Sequence, residues 1–333
     1  MTADHPVSEN PPLRRPSRLH TAAQGVRRVG VELEFSGLTI ERISETVRST
    51  LGGEIRPASA YEHAVVDTPW GDFAIELDYA YLKERGRREN DDGLWGDVER
   101  VSEDLLGALA KRVVPFEIVC PPIAIDRLHE LHPMIAALRE AGARGTGASA
   151  VYAFGLHLNP ELPDLETTTL LGYIRAFTVA YDWLVRASAI DISRRVFPYI
   201  QPYPREYARL ICDPDYRPDR DRLIDDYLAH NASRNRALDM LPVFAHLDAE
   251  RVRKAVDDHL VSARPALHHR LPNCEIERPG WDLAPDWNRW LVVEELAADA
   301  PRLDRLCRAY RDVLEQPMGD WFGGWADTFE RDA

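Results

Sequence analysis

Cysteine is scarce: Cys120, Cys212, Cys274 and Cys307 are the only four in 333 residues, and none forms a C-x-x-C pair. Neither a zinc knuckle nor a disulfide framework is signalled, and a reducing, cytoplasmic setting is expected. No stretch approaches the ~18–20 uninterrupted apolar residues of a membrane helix, and the first ~25 residues contain no signal-like apolar run. A soluble protein without a membrane partner is expected. Phosphate-cradling glycine motifs are missing too: there is no G-x-x-x-x-G-K-[ST], and no G-x-G-x-x-G opens a helix after a strand. Positive charge is also short, with 41 Lys plus Arg against 55 Asp plus Glu and a formal net charge of −14. That balance argues against a broad nucleic-acid footprint. A small phosphorylated ligand remains compatible, provided that cations or an arginine cluster reverse the field where it binds.

What is present is an ordinary globular mix, 45% hydrophobic and 29% charged, long enough to bury a core without staples. Residues 1–26, rich in Pro, Arg and Ser, are expected to form a disordered arm before a domain over 27–300. From Arg28 to Asn159 strand-like and helix-like runs alternate. Arg28–Phe35, Asp72–Ala80, Arg112–Ile123 and Val151–Pro160 read as strands. Thr39–Gly53, Val98–Lys111 and Ile125–Ala141 read as helices, and Lys83–Gly96 as a charged loop. Beyond Pro160 helical patterns dominate, as an insertion over about 161–265 containing Leu165–Ser188, Arg220–Ala229, Leu238–Leu247 and Ala249–Ser262. A fifth strand-like stretch, Leu267–Pro279, precedes a helix near Asp286–Ala298, and residues 301–333 add a helix and a Trp-rich tail. The fold class is α+β.

The strands share one feature: each opposes its apolar side with acidic or polar residues. Glu32 and Glu34 come from the first, Glu76 and Asp78 from the second, Glu117 from the third, His157 and Asn159 from the fourth, and Arg270 and Glu275 from the fifth. A water-facing sheet tolerates such a pattern, so any single residue can be a solvated side chain. A water-facing sheet should also mix its charges, whereas these faces hold carboxylates, His and Asn with almost no Lys. Carboxylates ~5 Å apart across strands repel unless cations sit between them. Hard divalent ions supply that relief and complete their shells with substrate phosphates, which reconciles an anionic ligand with the acidic chain. Among other candidates, Arg209 could clamp an acidic substrate. His268 and His269, being adjacent, point to opposite faces and cannot both join one site. The Trp281, Trp287 and Trp290 group reads as packing.

The ordered series RVGVELEF, DFAIELD, PFEIVCPPI, GLHLNP and RLPNCEIERPGW resembles the amidoligase family within the carboxylate–amine ligase superfamily, which includes glutamine synthetase and glutamate–cysteine ligase. The resemblance covers about residues 28–300. It implies an antiparallel glutamine-synthetase-like sheet curved into a funnel, with Mg²⁺ or Mn²⁺ between the sheet and ATP. Under it Glu32, Glu34, Glu76 and Glu275 are metal ligands, and Glu117 contacts the metal or the substrate amine. His157 and Asn159 attend the nucleotide, and Arg270 neutralises the transferring phosphoryl group; Arg209, a candidate from the residues alone, is expected as a further cofactor-binding group. The activity implied is ATP-dependent ligation of a glutamate-like or peptide carboxylate to an amine through an acyl phosphate, alongside a glutamine-amidotransferase-like enzyme. Two alternatives stay open: a metal-dependent hydrolase using the same residues, and a non-catalytic scaffold that binds nucleotide or a partner.

Overall fold

The computed structural model describes residues 10–77, 115–148, 154–190, 200–256, 261–315 and 324–332. The expected helix Val98–Lys111, the loop Lys83–Gly96, Asp78 and Trp321 lie outside the described residues. β1 (Arg28–Phe35) is followed by α1 (Ile40–Leu51), a hairpin of β2 (Glu54–Ser59) and β3 (Glu62–Thr68), and β4 (Gly71–Leu77). β5 (Phe116–Val119), β6 (Ile123–Ala124), a 3-10 turn over Ile125–Leu131 and α2 (His132–Ala141) come next, then β7 (Leu156–Pro160). The later elements are α3 (Thr167–Ala187), α4 (Arg205–Ile211), α5 (Arg220–Asn231), β8 (Leu238–Asp239), α6 (Leu241–Leu247), α7 (Ala249–Ala255) and β9 (His268–His269). α8 (Ala284–Ala298), α9 (Ala300–Glu315) and α10 (Gly324–Asp332) end the described chain.

The nine strands form one sheet in the order β2-β3-β4-β5-β1-β7-β9-β8, with β6 beside β1. Every pairing between named strands is antiparallel. The class is therefore α+β as expected, and the β2–β3 hairpin extends the sheet where no strand was anticipated. The expected helical insertion is corrected in one respect: β8 lies inside it and joins the sheet edge, because Leu238 and Asp239 pair with His269 and His268.

Strand alternation sets the two faces. Val29, Val31, Leu33 and Phe35 of β1 are fully buried, as are Phe73 and Ile75 of β4, Ile118 of β5 and Leu156 and Leu158 of β7. This apolar face meets α1 at the β2–β4 end through Ser44 Oγ and His63 Nδ1, 2.9 Å apart. At the other end His269 turns into the core against Phe177 of α3 and Trp290 of α8. α1 runs from the Thr39 cap, whose hydroxyl accepts from the Arg42 amide, to Gly52. Gly53 then turns the chain into β2 at φ +88°, where an added Cβ would lie 2.4 Å from the Val66 carbonyl.

The expected disordered arm is corrected from Asn10 onward. Arg14 accepts from the Trp287 indole through its carbonyl at 2.9 Å, and its amide donates to Asn288 Oδ1 at 2.9 Å. Arg27, just before β1, is completely buried. Its guanidinium makes a bidentate pair with Glu294 of α8 at 2.8 and 2.7 Å and donates to the Arg18 and Glu161 carbonyls. Trp290 Nε1 also donates to Glu294, at 2.9 Å. This buried fork fixes the start of β1, and with it the strand's register over α8. Removing one partner strands a buried charge, which typically costs about 3–5 kcal/mol. Arg27→Met should lower unfolding free energy by that amount in chemical denaturation, and an unchanged midpoint would show that the fork does not anchor β1.

Candidate functional site

The other face of the sheet carries the acids. In β1 Gly30, Glu32 and Glu34 alternate with the buried apolar residues, and cross-strand register carries the same parity outward. Glu34 pairs with Glu117 of β5, Glu117 with Glu76 of β4, and Glu76 with Glu62 of β3. Four glutamates thus stand in one row across four strands. In the adjacent row Glu32 pairs with His157 of β7, and Gly30 with Asn159. At the far edge His268 and Asp239 pair on the same face.

His157 is the hub. Its Nδ1 lies 2.6 Å from Glu32 Oε2 and 3.8 Å from Glu117 Oε1, while its Nε2 lies 3.2 Å from Glu34 Oε1. Glu34 also accepts from the Gly155 amide at 2.6 Å, and Glu32 from the Asn159 amide at 2.6 Å. Gly30 leaves the room Asn159 needs, since a Cβ there would sit 3.3 Å from the Asn159 Cβ. His268 Nε2 lies 3.6 Å from Glu32 Oε2, and its ring meets that of His157 edge-on at 5.2 Å. Arg264 Nη2 is 3.8 Å from Glu32 Oε1.

The electrostatics follow from burial and partners. Burial alone would raise the Glu32 carboxyl, but His157 and His268 outweigh it and hold Glu32 well below the usual carboxylate range. Burial alone would lower His157; the charge of Glu34 and hydrogen bonds to Glu32 and Glu34 reverse the sign and raise it. Glu76 is pushed up by its partial burial and then by the charges of Glu62 and Glu32.

Two overlapping groups have the geometry of metal ligands: Glu32 with His157 and His268, and Glu34 with Glu117 and His157. Three observations fit a cation here. The donors are carboxylates and imidazoles, the His268 Nε2 and Asn159 Oδ1 atoms are buried with no hydrogen-bond partner among the described residues, and both flank Glu32. Each group includes at least one imidazole, which favours Mn²⁺ over the oxygen-seeking Mg²⁺.

Of the residues expected from sequence, Glu32, Glu34, Glu76, Glu117, His157 and Asn159 converge on this face. Glu275 does not: its Oε2 pairs with Arg278 at 2.9 Å, because the chain leaves the sheet after the isolated Gly155–Asn273 bridge and strand alternation no longer applies. Arg209 is also away from the cluster, exposed on α4 and 3.1 Å from Glu315. Arg270 Nη1 donates to the Arg234 carbonyl at 2.9 Å. The residues sequence reasoning missed are His268, Asp239 and Arg264. Asp239 is fully buried, with Oδ1 accepting from the Leu241 amide at 2.9 Å and Oδ2 3.8 Å from His268 Nδ1. The opposite-face rule for His268 and His269 holds, and it places His268 on the acidic side.

The model of a family described as "putative amidoligase enzyme" matches residues 25–292, which span the whole acidic face. The chain belongs to this amidoligase family. No curated protein and no solved structure shows a significant match to it. Among the described residues, no helix is long and apolar enough to cross a membrane. As an amidoligase family member the chain carries its family's ligase assignment, and its Glu/His face is where the described residues offer a metal site.

The raised His157 fixes the sign of a pH response. In the metal-free protein its stabilising contribution should be complete below the ordinary imidazole value of ~6.5 and disappear as pH rises through the raised one. Protons and metal compete for the same nitrogens. Stabilisation by added Mn²⁺ should therefore grow with pH through that window, as read by thermal denaturation at a series of pH values. A metal-induced shift independent of pH would separate His157 from the metal site.

Proposed function

We propose that the chain is an ATP-dependent ligase that joins a carboxylate to an amine through an acyl phosphate, with Mn²⁺ or Mg²⁺ held on the acidic face. The observation that carries the reading is the register-locked row Glu62, Glu76, Glu117 and Glu34 beside Glu32 and His157, in a member of the amidoligase family. Such a face repels nucleotide phosphate by itself. When bound, the cations neutralise phosphoryl oxygens and increase the electrophilicity of the γ-phosphorus. Glu32, Glu34, Glu117, His157 and His268 are the residues that hold them.

The chemistry needs no protein nucleophile. A substrate carboxylate oxygen bonds to the γ-phosphorus while the bridge to the β-phosphate breaks and ADP departs. The amine nitrogen then bonds to the acyl carbon, the acyl–oxygen bond breaks, and phosphate leaves with the electron pair while the nitrogen gives up a proton. Glu76 suits the acceptance of that proton, because burial and the charges of Glu62 and Glu32 raise its basicity. Arg264, the guanidinium beside Glu32, offsets charge on the phosphoryl oxygens. In-line positioning between the glutamate row and the nucleotide supplies much of the remaining acceleration.

One observation favours a second reading. Glu32, His157 and His268 make a two-imidazole, one-carboxylate set that also suits a hydrolytic metal centre. That enzyme would turn over without nucleotide. With ATP, Mn²⁺, a carboxylate substrate and hydroxylamine as the amine, the ligase should release ADP and form a hydroxamate together. Glu34→Gln should cut both rates by about 10²–10³, the usual consequence of losing one preorganised charge contact, while circular dichroism stays unchanged. Consumption of the carboxylate without ADP, or wild-type rates in the variant, would replace the ligase by the hydrolase.

A further inference from the structure

Asp239 and His268 pair across β8 and β9 at the edge of the sheet. Asp239 is completely buried. Its Oδ1 accepts from the Leu241 amide at 2.9 Å, while its Oδ2 has no hydrogen-bond partner among the described residues. His268 Nδ1 faces that oxygen at 3.8 Å. On the other side of the ring Nε2 faces Glu32 Oε2 at 3.6 Å, and it too is buried without a hydrogen-bond partner among the described residues. Turning the ring over would put carbon atoms where both nitrogens stand, so the two carboxylates together select this orientation.

The chain holds Asp239 firmly in place. Tyr203 Oη donates to the Leu238 carbonyl at 2.7 Å, and the Met240 amide donates to Tyr227 Oη at 3.1 Å. Both phenol rings are buried and meet edge-on at 5.9 Å, so the residues on either side of Asp239 are anchored in the core.

The two nitrogens of His268 are not equivalent. Glu32 already accepts from the Asn159 amide at 2.6 Å, lies 2.6 Å from His157 Nδ1 and has Arg264 at 3.8 Å. For Asp239 Oδ2, His268 is the sole ion-pair partner among the described residues. A buried carboxylate oxygen without a donor is costly, and a shift of about 1 Å closes the gap to a hydrogen bond. The proton of a neutral His268 therefore belongs on Nδ1, which leaves the lone pair on Nε2, directed at Glu32. Lone pairs of an imidazole and a carboxylate facing each other in a buried gap call for a cation between them.

We propose that Asp239 is a positioning residue of the metal site: it keeps the His268 proton on Nδ1 and so presents Nε2 to an ion held beside Glu32 and His157. Carboxylates behind imidazole ligands fix the tautomer and ring orientation and increase the basicity of the ligating nitrogen. Asp239 is outside both ligand groups and reaches the site through His268. The proposal rests on the metal reading of the acidic face and is independent of the ligation chemistry.

Asp239→Asn tests it. The variant keeps the side-chain volume and an oxygen for the Leu241 amide, but it turns an NH₂ donor toward Nδ1, which drives the His268 proton to Nε2. Isothermal titration of the full chain with Mn²⁺ alone should show binding about 10–100-fold weaker in the variant. Pulsed electron paramagnetic resonance should find nitrogen coupling from two imidazoles in the wild-type protein and from His157 alone in the variant. Wild-type affinity in the variant overturns the proposal, and so does weaker binding with both nitrogens retained, which would make Asp239 a support of the fold only. If Asp239→Asn does not fold, the wild-type protein decides. In its Zn²⁺-loaded form, two-bond proton–nitrogen NMR of His268, assigned by signal loss in His268→Gln, should find the proton on Nδ1; a proton on Nε2 overturns the proposal. Absence of Mn²⁺ binding to the wild-type chain would remove the metal reading and this role together, whereas equal binding by both chains would remove the role alone.

Discussion

Like charges held in register are the constraint on which the rest of the structure depends. The apolar face of β1 offers Val29, Val31, Leu33 and Phe35 to a closed core, so the strand cannot slip by one residue without exposing all four. That lock leaves Glu32 and Glu34 no alternative face, and the pairings through β5 and β4 hold Glu117 and Glu76 to the same parity. Two ionised carboxylates ~5 Å apart repel by about 3 kcal/mol at an effective dielectric near 20. The fold answers this with His157 between Glu32 and Glu34, whose charges raise its affinity for a proton, and with Arg264 and His268 around Glu32. Burial energy in the core thus sustains an arrangement that its own electrostatics disfavour, and the proposed cations would relieve that tension.

The acidic face was largely legible because period-two alternation is a local property. Once RVGVELEF, the acidic β4, PFEIV and GLHLN are recognised as strands, the parity of Glu32, Glu34, Glu76, Glu117, His157 and Asn159 follows from each strand alone. What could not be read depends on long-range pairing. β8 and β9 are two residues each, too short to carry a period, so Asp239 and His268 enter the site through a pairing of residues 29 apart in sequence, as their register shows. The same alternation does not extend to Glu275, because the chain turns off the sheet after the Gly155–Asn273 bridge and delivers Glu275 to a different cavity beside Arg278. The arm failed for the converse reason. Its composition is that of a linker, but Trp287, Asn288 and Glu295, more than 270 residues away, supply partners for Arg14 that composition cannot reveal.

The chain's net charge of −14 also takes on a local meaning. The acidic excess is not spread evenly over a solvated surface, since part of it is concentrated in one row on the sheet, flanked by Arg264. Under the proposed ligase reading, cations on this row would meet anionic reactants that the row alone repels.

The central claim is that His157 and its neighbouring carboxylates form the metal centre of this face. Pulsed electron paramagnetic resonance of the Mn²⁺-loaded protein tests it directly, because a coordinated imidazole nitrogen modulates the manganese signal. The account predicts nitrogen modulation in the wild-type protein and its loss or marked reduction in His157→Gln. Manganese bound without nitrogen coupling, or coupling unchanged in that variant, would contradict it.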